Sequence, residues 1–171
     1  MGDAAPKKPK VVYGVGVTPF GMYVMAQNYR ATADALENVV VLPHLTDHPR
    51  RFLYYQALEH FLRAFLRLNS QDLEKIQDFR HNWGEMLDCC KSYGLRLSVK
   101  AEEFIRSSAL NNDLVRIRYE LVIEEDVTKG RKPRSTLPLQ KTIYALELAV
   151  GEAIEATGRE VFKRPRPAIW S

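Results

Sequence analysis

The segment RFLYYQALEHFLRAFLRLN, residues 51–69, carries two adjoining apolar stripes at helical spacing. One stripe contains Phe52, Tyr55, Leu62 and Leu66, and the other contains Tyr54, Leu58, Phe61, Phe65 and Leu68. Two neighbouring stripes leave little of the circumference for water, as is typical of a helix in the middle of a bundle. Glu59 lies within the first stripe. The segment therefore predicts a central, enclosed helix that carries one carboxylate.

Helical patterns continue on both sides of this segment. Thr18 followed by Pro19 is typical of a helix start, since it pairs a capping hydroxyl with proline at the first helical position. Gly94 and Gly158 stand where a left-handed residue would end a helix. Besides the central helix, the predicted helices are about 18–41, a short one from Ser70 to 77, 79–95, 98–113 and 138–157. We therefore expect an all-α, up-and-down bundle of four to five main helices.

A different period appears after residue 113. Apolar residues alternate with charged ones, which predicts a short extended or β-like segment. The alternating apolar positions are Val115, Ile117, Tyr119, Leu121 and Ile123. A loop rich in turn residues and positive charge follows at 126–141, before the last helix.

The chain of 171 residues is long enough for one sizeable core, so we expect a single helical domain at 18–158 between basic tails at 1–17 and 159–171. Its net charge is +4, and the positive residues concentrate in the tails and the 126–141 loop. Such a fringe is compatible with nucleic acid at the appendages, and equally with solubilising tails. No apolar run or signal-like start is evident, and the adjacent Cys89 and Cys90 are expected to be reduced thiols. We expect a cytoplasmic protein without a membrane segment.

The carboxylate of Glu59 needs a partner, because an unpaired charge among large apolar side chains is costly. Arg63 stands one turn further along the same helix, in the favourable order for an ion pair. Arg118 or His81 could serve instead from elsewhere in the bundle. The group is either a structural polar cluster or a ligand-binding or catalytic one.

His81 opens the stretch FRHNWGEMLDCCKSYGL, residues 79–95. The dipole at a helix start favours a neutral imidazole, which could act as a base or could anchor the helix end. A metal ligand is a weaker interpretation, because the nearby HLTDH run at 44–48 lacks further ligands at a zinc spacing. The glycines of GVGVTPFG at 14–21 fit neither a Walker loop nor the dinucleotide fingerprint. We expect no metal and no cofactor.

Five stretches together resemble the HEPN domain, in particular a bacterial branch of that family. They are FLYYQALEHFLRAFL (52–66), FRHNWGEMLDCCKSYGL (79–95), ALNNDL (109–114), IRY (117–119) and LP (137–138). The resemblance implies a helical bundle that pairs into a homodimer, in a family linked to RNA cleavage, toxin–antitoxin systems, nucleotide binding and host defence. It also implies that Glu59, His81, Arg118 and Tyr119 occupy site positions.

The chain departs from the family's ribonuclease pattern, in which four to six residues separate an arginine from the histidine that follows it. The nearest approach here is Lys75, which five residues separate from His81, and lysine lacks the forked guanidinium. The chain also has Arg-His where the branch has Gly-His, and a longer basic loop after Tyr119. These departures favour binding over cleavage.

Three functions remain open. The leading hypothesis is a non-catalytic homodimer that binds a nucleotide, RNA or a partner protein, such as a cognate antitoxin or nucleotidyltransferase. Its site would contain Glu59, Arg63, His81, Arg118 and Tyr119. The second hypothesis is a metal-independent ribonuclease in which His81 acts as general acid or base and Lys75, Arg80 or Arg118 stabilises the phosphorane. The third is a structural or regulatory bundle without a ligand.

Overall fold

The computed structural model describes residues 16–39, 47–119 and 135–162, and within these ranges it contains helices and no strand. The helices are α1 (Pro19–Ala35), α2 (His48–Leu68), α3 (Leu73–Asp78), α4 (Trp83–Ser92), α5 (Val99–Leu110), α6 (Asp113–Tyr119) and α7 (Leu137–Glu155). A 3₁₀ turn, Leu36–Asn38, follows α1 directly. The all-α prediction is confirmed.

Helix α2 is the centre of the bundle. It packs against α1, α3, α4, α6 and α7, and ten of its 21 residues are buried. Tyr54, Leu58 and Phe61 have no exposed surface, as the two adjoining stripes predicted. Burial of a large apolar side chain stabilises the fold by roughly 1.5–3 kcal/mol, so α2 contributes much of the core.

Three of the four predicted helix ends, at Thr18, Gly94 and Gly158, have the expected capping conformation. Thr18 Oγ1 accepts a hydrogen bond from the Gly21 amide at 3.0 Å, which fixes the start of α1. Gly94 and Gly158 have φ of +93° and +84°, the left-handed conformation predicted after α4 and α7. Ser70 is not the cap that was predicted, because its own φ is +62° and α3 begins only after Asp72.

The predicted extended segment is wrong for residues 115–119, which lie in helix α6. Leu114 is buried and Ile117 is half-buried, so the residues that face the core are three apart. Val115 and Tyr119, four apart, are exposed. Packing of the 114 and 117 positions therefore overrides the alternating pattern, and positions 121 and 123 lie outside the described residues.

The ends of the domain are partly described. After Gly158 the chain returns along α1, since the Arg159 guanidinium lies 3.9 Å from the centroid of the Phe20 ring and Gln27 Nε2 donates to the Phe162 carbonyl at 2.9 Å. Most of both predicted tails and of the basic loop falls outside the described residues. Among the helices that are described, none is both long enough and apolar enough to cross a membrane.

Candidate functional site

Glu59 lies on α2 at the face turned toward α4, with 5% of its surface exposed. Three hydrogen-bond donors meet its carboxylate. Arg63 Nη2 lies 2.8 Å from Oε1, His81 Nδ1 lies 2.8 Å from Oε2, and the Trp83 indole donates to Oε2 at 3.2 Å. The buried charge is therefore paired and fully hydrogen-bonded, as the cost of burying it requires.

These contacts determine the tautomer of His81. A guanidinium and an indole N–H can only donate, so both oxygens of Glu59 already act as acceptors. Since Glu59 also forms an ion pair with Arg63, its carboxylate is an acceptor, and Nδ1–H is the matching donor in the contact with Oε2. Nε2 remains for another group, and it has no hydrogen-bond partner among the residues that the structure describes.

The four residues 79–82, which we call the His81 loop, connect α3 to α4. Arg80 has φ of +51°, a conformation that residues with a side chain rarely adopt. Arg63 Nη2 donates to the Arg80 carbonyl at 2.8 Å, and Asn82 Oδ1 accepts from the Glu85 amide at 3.3 Å to cap α4. The His81 loop is thus held at 80, 81 and 82, while 52% of the His81 side chain remains exposed.

The buried rings of Trp83 and Tyr55 pack against each other beside the His81 loop. Their rings are stacked with centroids 5.0 Å apart and an angle of 19°, and both are buried. The Tyr55 hydroxyl donates to Asp113 Oδ2 at 3.1 Å, which connects α6 to the same group. Burial and the nearby Asp113 raise the pKa of Tyr55 above its usual value. A pattern of apolar positions marked these two residues only as core, and their polar atoms gave no separate signal.

Arg118 and Tyr119 do not join this cluster. Within residues 47–119, no hydrogen bond or ion pair connects either side chain to Glu59, Arg63 or His81. The Arg118 guanidinium instead lies 5.2 Å from the centroid of the Tyr119 ring, and Tyr119 is 70% exposed. Of the five residues predicted for the site, the structure brings together Glu59, Arg63 and His81, with Trp83 beside them. Arg118 and Tyr119 lie outside this cluster, because α6 is helical and both positions are exposed on it.

A second buried polar cluster, which the sequence analysis missed, joins α1, α2 and α7. Glu147 of α7 is 3% exposed, and its Oε2 lies 2.5 Å from Arg30 Nε. Arg30 Nη1 also lies 2.5 Å from Asp34 Oδ2, and the Tyr54 hydroxyl donates to Asp34 Oδ1 at 2.7 Å. Gln140 Nε2 then donates to the Tyr54 hydroxyl at 2.9 Å. We call these five residues the Glu147 cluster.

Burial governs the titration of the tyrosines in this region. It raises the pKa of Tyr54 to about 12, with the hydrogen bond to Asp34 acting in the same direction. Tyr23, whose hydroxyl donates to the Glu147 carbonyl at 3.4 Å, also has its pKa raised by burial and by Glu147. A signal for this cluster was present, since Glu147 stands in the apolar stripe of α7 and Arg30 precedes Asp34 by one turn.

The other sequence motifs gather no comparable group. In the described ranges, no three His, Cys, Asp or Glu side chains lie close enough to hold a metal, and His44 of HLTDH is outside those ranges. A surface cavity of about 510 Å³ lies beside the start of α1. Its Thr18 hydroxyl already caps α1, and its Arg67 donates to the Gln71 carbonyl at 3.1 Å.

Comparison of the chain with protein-family models, with curated proteins and with solved structures gives no match. The resemblance to HEPN domains therefore depends on the five stretches quoted above, and the family assignment stays a prediction.

Proposed function

We propose that this chain is an HEPN-like helical module that forms a homodimer and binds a nucleotide or RNA at the His81 loop, without a chemical step. The proposal rests on how His81 is held and how much of it is exposed. A buried carboxylate holds its Nδ1 at 2.8 Å, while half of the side chain is exposed with Nε2 open to a ligand.

The conformation of the His81 loop is accounted for by contacts that do not use Nε2 of the His81 ring. Arg63 already holds the Arg80 carbonyl, and Glu59 already accepts the Trp83 indole N–H, so both flanks of residue 81 are attached to α2. A histidine that only anchors the loop would be expected to be buried in the core, as Trp83 is, because a buried hydrogen bond is screened less by water. The exposed imidazole therefore favours a recognition role.

The pairing into a homodimer and the link to nucleic acid come from the resemblance to HEPN domains, and the basic residues near both ends are compatible with them. Light scattering on the purified chain measures the first. A mass of two chains supports the homodimer, and a mass of one chain at micromolar concentration contradicts it.

Binding is tested by filter retention of short labelled RNA and by equilibrium dialysis of nucleotides at low salt. We expect retention by the wild type and a loss of at least tenfold for His81→Ala, since a hydrogen bond to a charged ligand contributes about 1.5–3 kcal/mol. Wild-type protein that binds neither RNA nor nucleotide would contradict this proposal and leave the partner-protein version.

The tautomer of His81 also favours a second candidate, a metal-independent ribonuclease. A carboxylate on Nδ1 with an open Nε2 is the arrangement of a general base, and Arg80 or Lys75 could stabilise the phosphorane. RNA incubated with wild type and His81→Ala in a chelator separates the two candidates. Cleavage by the wild type alone supports the ribonuclease, and intact RNA in both supports binding without chemistry.

A further inference from the structure

Two polar side chains of the His81 loop have unused hydrogen-bonding capacity. Nε2 of His81 and the guanidinium of Arg80 make no hydrogen bond or ion pair with any residue in the described part of the chain. They are adjacent in sequence, and both residues are exposed. The backbone that presents them is attached to α2 on either side, and Glu59 fixes the His81 ring through Nδ1, so none of these contacts uses Nε2 or the guanidinium.

The charges beneath the loop are already balanced. Glu59 and Arg63 form one ion pair at 2.8 Å, and their formal charges cancel. A proton on Nε2 would leave His81 and its two partners with one net positive charge, and Arg80 would add a second. No carboxylate among the described residues forms an ion pair with Arg80. An entering dianion would match these two charges.

The backbone at Arg80 is left-handed, as it also is at Ser70 and Asn112. Its φ of +51° is strained for arginine, whereas glycine adopts that conformation freely. The bond from Arg63 Nη2 to the Arg80 carbonyl at 2.8 Å holds the strained conformation. The contact that holds this backbone is made by Arg63, so it leaves the Arg80 side chain unused.

We infer that the His81 loop binds a terminal phosphate, that is, a phosphate monoester dianion, with Arg80 as the second donor and with uptake of one proton at His81 Nε2. This inference rests on the proposed function, because it names the chemical group that the same loop recognises. The phosphate could belong to a free nucleotide or to the end of an RNA, and both present the same dianion above pH 7. A guanidinium and an imidazolium suit it as charge-assisted donors.

The charged groups around His81 bear on the proton uptake. The nearest are Glu59 and Arg63 of α2, Arg80 of the same loop and Glu85 in the first turn of α4. Asp113 of α6 is connected indirectly, because it accepts from Tyr55, whose ring stacks on Trp83. Glu59 stabilises the imidazolium through Nδ1, and the dianion does so through Nε2. Proton uptake and phosphate binding therefore reinforce each other, and affinity falls as the pH rises.

The test uses the full chain and calorimetric titration at pH 8 in two phosphate-free buffers of different protonation enthalpy. The titrants are AMP, adenosine, and one short RNA with either a 5′-phosphate or a 5′-hydroxyl. We expect each phosphorylated titrant to bind at least about tenfold more tightly than its unphosphorylated counterpart, with close to one proton taken up per phosphate. If AMP binds and RNA does not gain from its 5′-phosphate, the source is a nucleotide, and the reverse result identifies an RNA end.

Two variants isolate the roles of the loop residues. Arg80→Gly removes the guanidinium and relieves the strain, so affinity for the phosphorylated titrant should fall about tenfold or more while the melting temperature holds or rises. Asn112→Gly, at another φ of +51° outside the loop, is the control for glycine at a left-handed position and should bind as the wild type does. His81→Asn keeps an amide donor for Glu59 and cannot titrate, so its proton uptake should be absent.

Equal affinity with and without the phosphate, absent proton uptake in the wild type, or unchanged affinity in Arg80→Gly would overturn the inference. In each of these results, RNA binding that still depends on His81 would leave the proposed function intact. No binding of any titrant would overturn both.

Discussion

The two buried clusters of this bundle share a glutamate–arginine ion pair and differ in the groups that surround it. Each pairs a glutamate that is at most 5% exposed with an arginine, Glu147 with Arg30 and Glu59 with Arg63. The Glu147 cluster lies between three helices, and its members are bonded to one another. The Asp34 side chain is 35% exposed, but both of its oxygens are bonded to Arg30 and Tyr54, so we call this cluster closed and the Glu59 cluster open. The Glu59 cluster extends to the surface through one imidazole. A closed cluster fixes helix positions, and an open one presents a group to solvent.

The closed cluster should be the more sensitive to loss of its carboxylate. Glu147→Ala leaves the buried Arg30 with Asp34 alone and removes one acceptor of Gln27. We expect the free energy of unfolding to fall by about 3 kcal/mol, and the melting temperature by about 6–12 °C for a protein of this size. Urea denaturation measures the first. Glu152→Ala, at an exposed position of the same helix, is the control and should change stability by less than about 0.5 kcal/mol.

Close packing beside the closed cluster gives a second difference. A Cβ added at Gly151 would lie 2.8 Å from the Tyr23 hydroxyl, which is buried and bonded to the Glu147 carbonyl. We expect Gly151→Ala to destabilise the fold by about 2 kcal/mol through overpacking, despite the better helix propensity of alanine. Gly84→Ala is the matched control beside the open cluster, because its Cβ would meet only Asn82 Oδ1 at an ordinary 3.5 Å. Equal melting temperatures for the two variants would contradict the close packing.

The closed cluster also predicts a loss of stability in alkali. The pKa of Tyr54 is about 12 in the fold and about 10 in the unfolded chain, so above pH 10 the unfolded state loses its proton first. The contribution is complete below pH 10, and about 1 kcal/mol of it is lost by pH 11. Denaturation curves between pH 8 and 11 should show a shallower decline for Tyr54→Phe than for the wild type. Parallel curves would show that Tyr54 titrates as it does in water.

The open cluster should show the smallest effect on stability. The His81 ring is half exposed, and Arg63 and Trp83 hold the loop on either side of it. We expect His81→Ala to lower the free energy of unfolding by no more than about 0.5–1 kcal/mol, while it weakens ligand binding at least tenfold. If the free energy of unfolding fell as much as in Glu147→Ala while binding was unchanged, His81 would have a structural role only.

Local spacing was sufficient to predict much of the fold and half of the open cluster. The stripes of α2 placed it at the centre, and Glu59 with Arg63 follows from a separation of one turn. His81 was one of three partners considered for Glu59, and the structure realises it. The indole of Trp83 escaped notice because an apolar position at helical spacing says nothing about where its N–H points.

The remaining features depend on tertiary contacts that spacing does not encode. Arg30 and Glu147 are 117 positions apart, and only the packing of α7 on α1 brings them together. Arg118 was expected near Glu59 because the resemblance to HEPN domains gives it a site position, and its segment was expected to be extended. The burial of Leu114 and Ile117 made that segment helical and turned position 118 outward.

An imidazole anchored through Nδ1 with Nε2 open to a ligand is tested most directly by locating the hydrogen on the His81 ring in the free protein. Long-range ¹H–¹⁵N NMR at pH 8 measures this, with His81→Ala for assignment. Nδ1 lies 2.8 Å from Glu59 Oε2, so the account predicts a hydrogen on Nδ1 and a bare Nε2, and a mixture of tautomers in Glu59→Gln. A ring in the wild type that carries its hydrogen on Nε2, or that exchanges freely between both forms, would contradict it.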